Sequence, residues 1–176
     1  MRWGTATSAL HHHCENIYSI RVIIVTIGLQ EGPCMRKPRI IILDDESLIL
    51  DMLGRFFGQK GYEVASSTEP IICPLYEKGA ESCEQSFPCA DVVITDLKMP
   101  KMSGIELLER QTQRGCKLDI RNKAVMSAHF DEDSMKRIRN LRCAYFEKPF
   151  RLSALLGWLH ECEQRINLSQ PLNVLE

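Results

Sequence analysis

From Arg39 onward, short apolar runs alternate with longer segments in which apolar residues recur every three or four positions. The runs Arg39–Leu43, Tyr62–Ala65, Asp91–Thr95, Lys123–Met126 and Cys143–Glu147 are predicted as strands. They are continuous rather than alternating, the pattern of strands covered on both faces. Leu48, Ile49, Met52, Leu53, Phe56 and Phe57 predict a first helix that ends before Gly61. A second helix is placed at about 74–83, in a stretch holding Pro70, Pro74 and Pro88 with Cys73, Cys83 and Cys89. Ile105, Leu107, Leu108 and Gln111 mark a third helix. A polar fourth spans about 131–140 with Met135 and Ile138 inward. Leu152, Leu155, Leu156, Leu159 and Cys162 or Ile166 form the stripe of the fifth. Strand and helix repeated five times imply a parallel sheet with helices on both faces.

Chemistry-bearing residues gather at the strand ends. Asp44 and Asp45 follow the first strand, Asp96 the third, Ser127 the fourth and Lys148 the fifth. In an open parallel sheet, ligands bind outside the carboxyl ends of the strands. Three carboxylates, a hydroxyl and an ammonium should therefore share one rim, a set that suits a divalent cation and a phosphoryl group. Asp45 and Asp96 can hold Mg²⁺, with Asp44 orienting a metal-bound water. Lys148 can neutralise a phosphoryl oxygen and Ser127 can donate to another. Taken singly, Asp44-Asp45 reads as a strand-end turn or helix cap, and Asp96 as a cap before Pro100. Their joint placement carries the functional reading.

Composition narrows the class. The chain has 176 residues, 44% hydrophobic and 26% charged, as in an ordinary soluble globular domain. A net charge of −1 provides no global attraction to nucleic acid or membrane. The apolar stretch from Ile17 to Leu29 is too short to span a bilayer. Residues 1–34 read as a disordered extension, with Met35 as the natural start of a domain over 35–168 and a tail over 169–176. The eight cysteines contain no CxxC pair, which favours reduced thiols in a cytoplasmic setting. Cys73, Cys83 and Cys89 stay open between plain thiols, a labile redox pair and a zinc site completed by His129 or another cysteine. Lys136, Arg137, Arg139 and Arg142 crowd the fourth helix and its exit, either as a solvated face or as a basic docking face.

Asp44-Asp45, Asp96 within TDLKMP, Gly104, Ser127-Ala128, Tyr145 and Lys148-Pro149-Phe150 together resemble the receiver domain of two-component response regulators, over about residues 38–166. The likeness is to the single-domain, chemotaxis-regulator type of bacterial signalling. It implies a flavodoxin-like doubly wound sheet of order 2-1-3-4-5. It implies that Asp96 accepts a phosphoryl group from a sensor histidine kinase or a histidine phosphotransfer protein. Asp44, Asp45, Asp96 and the Lys98 carbonyl match the site for Mg²⁺ (or Mn²⁺). Ser127 and Tyr145 match the switch pair, and the Lys148–Pro149 bond matches a cis peptide. Lys98 and His129 occupy the variable positions beside the phosphoryl site, where long side chains can slow hydrolysis. The fourth helix, fifth strand and fifth helix match the face that meets a downstream protein, which an effector-free chain requires. The role implied is signalling rather than catalysis of a foreign substrate.

One feature departs from the pattern, and three other readings compete with it. The span from Asp45 to Asp96 is longer than usual, and the excess lies in the Pro/Cys stretch. A phosphorylation-independent interaction module on the same fold is the alternative, though such modules normally lose the acceptor or an acidic residue. A haloacid-dehalogenase-like phosphatase needs an Asp-x-Asp motif that Asp44-Asp45-Glu46 does not supply. A flavin site needs a hydroxyl- and glycine-rich loop that is absent here.

Overall fold

The structure is a computed structural model that describes residues 35–70, 73, 75 and 81–175. The expected extension over 1–34 and most of the expected helix over 74–83 lie outside the described residues. The elements are β1 (Arg39–Leu43), α1 (Ser47–Gln59), β2 (Glu63–Ser67), β3 (Val92–Asp96), α2 (Gly104–Gln113), β4 (Lys123–Ser127), α3 (Glu132–Leu141), β5 (Ala144–Glu147) and α4 (Leu152–Glu163). A 3-10 turn, Ile120–Asn122, leads into β4.

All strand pairings are parallel, and the order is β2-β1-β3-β4-β5, as expected. The strand period of two sorts the core into halves. Ile40, Ile42, Val92, Ile94 and Met126 pack against α1 and α4 through Leu53, Phe57, Leu155, Leu159 and Cys162. Ile41, Leu43, Val93 and Val125 pack against α2 and α3 through Ile105, Leu107, Leu108 and Ile138.

Several expected boundaries move. β2 runs to Ser67 instead of stopping at Ala65, and β3 and β4 extend to include Asp96 and Ser127. Both site residues are thus held by ladder hydrogen bonds rather than sitting just past them. The buried stripe of α1 is Leu50, Leu53 and Phe57, whereas Leu48 and Met52 are exposed. α4 ends at Glu163, short of Ile166.

The start of the sheet is closed by the tail. Arg39 Nη1 donates to the carbonyls of Cys89 and Asn173 at 3.0 and 2.8 Å. Arg36 forks onto the buried Asp91 carboxylate at 2.6 and 2.8 Å, a bidentate geometry. The Asn173 N–H donates to the Pro88 carbonyl at 3.0 Å.

Candidate functional site

The site lies at the carboxyl end of the sheet, where β1, β3, β4 and β5 stop. β1 ends in Leu43, so Asp44 leaves the ladder while still covered, and it is fully buried. Its Oδ1 accepts from the Glu46 N–H at 3.0 Å and its Oδ2 from Lys148 Nζ at 2.8 Å. Asp96, 6% exposed, ends β3. Its Oδ1 accepts from Lys148 Nζ at 2.7 Å and its Oδ2 from the Lys98 N–H at 2.5 Å. Lys148 therefore stands between two carboxylates that come from strands far apart in sequence. Glu46 Oε1 lies 3.5 Å from the same ammonium, more exposed to water.

Burial and pairing act on this cluster in opposite directions. Burial pushes the Asp44 carboxyl above its ordinary range, and the hydrogen bond from Lys148 only partly offsets this. Burial pulls the Lys148 ammonium down, but its bonds to Asp44 and Asp96 outweigh that, and the net shift is upward. Lys148 is therefore a permanent cation at neutral pH.

Two local devices fix Asp96. Gly104 opens α2 so close to β3 that an added Cβ would overlap the Asp96 carbonyl oxygen and lie 2.8 Å from the Thr95 side chain. Ser103 and Glu106 then form a capping box: the Glu106 N–H donates to Ser103 Oγ, and the Ser103 N–H donates to Glu106 Oε2 at 2.8 Å. The S-x-x-E spacing was visible in the sequence as a helix start, but the expectations made no use of it.

The other expected residues divide. Ser127 is buried at the end of β4, and its hydroxyl is turned onto the next turn of chain. Its Oγ donates to the His129 carbonyl at 2.8 Å and accepts from the His129 N–H at 3.2 Å. Tyr145 is half exposed and stacks edge-on against Phe130 with centroids 5.5 Å apart. The Lys148–Pro149 peptide is cis. Asp45, Lys98 and His129 are exposed and line one open groove with Asp131 and Ser134. The Asp45 carboxylate has no hydrogen-bond partner among the described residues.

One open reading is ruled out and another is narrowed. His129 belongs to the groove at the carboxyl end of the sheet, while Cys73, Cys83 and Cys89 line a separate apolar cavity, so the four do not form a zinc site. Among the described residues, no three His, Cys, Asp or Glu side chains by themselves enclose a metal ion. The basic run on α3 is divided between two surroundings. Arg137 points to α2 and forks onto Glu109 at 2.8 and 2.7 Å. Arg139 and Lys136 share their groove with Asp131, Glu132 and Asp133. Among the described residues, no helix is long and apolar enough to cross a membrane.

Comparison with known proteins agrees with this fold. The family model of the response regulator receiver domain matches residues 40–160. The chain is 28% identical to the two-component response regulator ARR11 of Arabidopsis thaliana over 131 residues, covering 73% of this chain and 23% of that protein. It is 29% identical to the DNA-binding transcriptional regulator NtrC of Escherichia coli, covering 80% of this chain and 28% of that protein. This chain thus matches about a quarter of the length of these relatives. Among solved structures, the CheY-like receiver domain protein of Methanospirillum hungatei superposes with a TM-score of 0.54 at 26% identity, covering 74% of this chain and 99% of that one. The chemotaxis protein CheY4 of Vibrio cholerae shares the fold, with a TM-score of 0.55 at 19% identity over 72% of this chain and 99% of that one. Five parallel strands in this order, the strand-end residues and the family match lead to one conclusion: the chain belongs to the response regulator receiver domain family.

Proposed function

We infer that this domain accepts a phosphoryl group on Asp96 from a phosphohistidine of a sensor histidine kinase or histidine phosphotransfer protein. One observation carries the reading: Asp96 is pinned at the end of β3 by Lys148 Nζ at 2.7 Å and by the Lys98 N–H at 2.5 Å. Such fixed donors orient the carboxylate and meet negative charge as it develops on the phosphoryl oxygens. A carboxylate oxygen of Asp96 bonds to phosphorus as the phosphorus–nitrogen bond breaks, and the imidazole leaves.

The donor set fits a hard cation. The Asp44, Asp45 and Asp96 carboxylates with the Lys98 carbonyl would hold Mg²⁺ or Mn²⁺, which keeps waters and so needs few protein ligands. When bound, the cation supplies neutralisation of phosphoryl charge. The unpaired Asp45 carboxylate supports this assignment. After transfer, Ser127 exchanges its bond to His129 for one to the phosphoryl group, and Tyr145 turns inward from its half-exposed position. The change is read by a downstream protein at α3, β5 and α4, in the cytoplasm. Lys98 and His129, exposed beside the site, screen the acyl phosphate from water. Labelling with a small phosphodonor in the presence and absence of Mg²⁺, for wild type and Asp96→Ala, tests the assignment.

A further inference from the structure

Away from the carboxyl end of the sheet, Cys73, Cys83, Cys89 and Cys116 line one apolar cavity of about 40 Å³, beside the buried Lys123. Lys123 is 1% exposed and has no carboxylate within ion-pair distance among the described residues. Its Nζ donates to Gln111 Oε1 at 2.7 Å and to Cys116 Sγ at 3.4 Å. A buried ammonium is costly unless an anion answers it. Among the described residues, Cys116 carries the one sulfur within hydrogen-bond distance of that ammonium.

The chain places Cys116 there by a helix-ending device. Gly115 takes φ 73°, and the Cys116 N–H donates to the Gln111 carbonyl at 2.9 Å, the six-to-one bond of a Schellman end. That turn sets the Cys116 thiol beside Lys123, while the Gln111 amide donates to Cys73 Sγ at 3.2 Å. The Cys83 N–H donates to the Arg114 carbonyl at 2.8 Å, so Cys83 is pinned next to the same turn. Both Cys83 and Cys116 are partly exposed, whereas Cys143 and Cys162 are buried.

The geometry points to Cys116 as a site of reversible oxidation by small hydroperoxides, with Cys83 as the thiol that resolves it. The Cys116 sulfur attacks a peroxide oxygen; a sulfur–oxygen bond forms, the oxygen–oxygen bond breaks, and the departing oxygen leaves as water with the proton given up by the Cys116 thiol. The Cys83 sulfur then attacks the Cys116 sulfur; the disulfide forms, the sulfur–oxygen bond breaks, and a second water leaves with the Cys83 proton. Two thiols and one hydrogen peroxide give one disulfide and two waters. The cavity's 40 Å³ exceeds the roughly 10–15 Å³ needed to admit one water, so a solute as small as hydrogen peroxide can enter. Burial pushes the Cys73 thiol up, and the Cys89 thiol up to about 11, and among the described residues neither sulfur accepts a hydrogen bond from Lys123.

The experiment treats the full chain with hydrogen peroxide and maps peptides without reduction. The expected result is one linked pair, Cys83 with Cys116, reversed by dithiothreitol and absent in Cys116→Ser. Lys123→Met should slow its formation about tenfold. In Cys83→Ser, dimedone should trap a sulfenic acid on Cys116, a readout that stands even if Lys123→Met does not fold. Linkage among other cysteines, an unchanged rate in Lys123→Met, or no adduct on Cys116 in Cys83→Ser would overturn the assignment.

Discussion

The Lys148 ammonium lies 2.7 Å from Asp96 Oδ1, across 52 positions of sequence, and bonds the fully buried Asp44 with its other face. This one cation makes two neighbouring carboxylates tolerable inside the end of a sheet. Lys148→Met should therefore destabilise the fold by about 3 kcal/mol, the scale for breaking a buried ion pair. The sign with pH follows from Asp44, whose carboxyl is already raised by burial. A raised carboxyl binds its proton more tightly when folded, so its cost is absent below the unfolded pKa, grows as pH rises from there to the folded pKa, and is complete above it. The deficit of Lys148→Met should shrink as pH falls through the carboxylate range, as urea unfolding at a series of pH values can measure. A pH-independent deficit would contradict the pairing.

Gly104 leaves no room for a methyl group against Asp96 and Thr95. The obstacle is backbone and cannot rotate away. Gly104→Ala should cost about 2 kcal/mol, within the range for overpacking, and reduce Asp96 phosphorylation more than its stability loss explains. Urea midpoints and phosphodonor labelling, taken on the same samples, separate the two effects.

The capping box makes a milder prediction. Hydrogen bonds from Ser103 hold the Glu106 carboxyl below its usual range. A depressed carboxyl contributes stability above its unfolded pKa and loses it as pH falls through the folded one. Ser103→Ala should cost about 1 kcal/mol at pH 7 and less in acid. Because Glu106 is near the surface, salt should weaken the charged part of this effect.

If Lys98 and His129 screen the acyl phosphate, their truncation exposes it. Lys98→Ala and His129→Ala should each shorten the lifetime of phosphorylated Asp96, and the double variant should shorten it further. Decay followed by loss of label gives the rates directly. Unchanged decay would remove the screening role without touching the acceptor assignment.

Most of the site was legible because strand ends are legible. Asp44, Asp96, Ser127 and Lys148 each follow a short apolar run, and parallel topology places all such ends on one rim. What escaped depends on contacts between distant elements. The segment from Leu48 to Phe57 is rich enough in apolar residues to allow more than one helical face, and packing on β1 chose Leu50 over Leu48 and Met52. Arg137 read as part of a surface run because its partner Glu109 sits on another helix. Lys123 read as an ordinary strand start; its burial depends on Gln111 and Cys116, supplied by the end of α2. The Pro/Cys stretch carries no periodicity, so no pattern could place it.

The most direct measurement is phosphoryl incorporation from a small phosphoramidate donor, with the modified residue located by borohydride reduction and peptide mapping. The account expects one phosphoryl group on Asp96, dependent on Mg²⁺, lost with a chelator and absent in Asp96→Ala. No incorporation into wild type, or incorporation that persists in Asp96→Ala, would contradict it and leave a phosphorylation-independent binding module as the better reading.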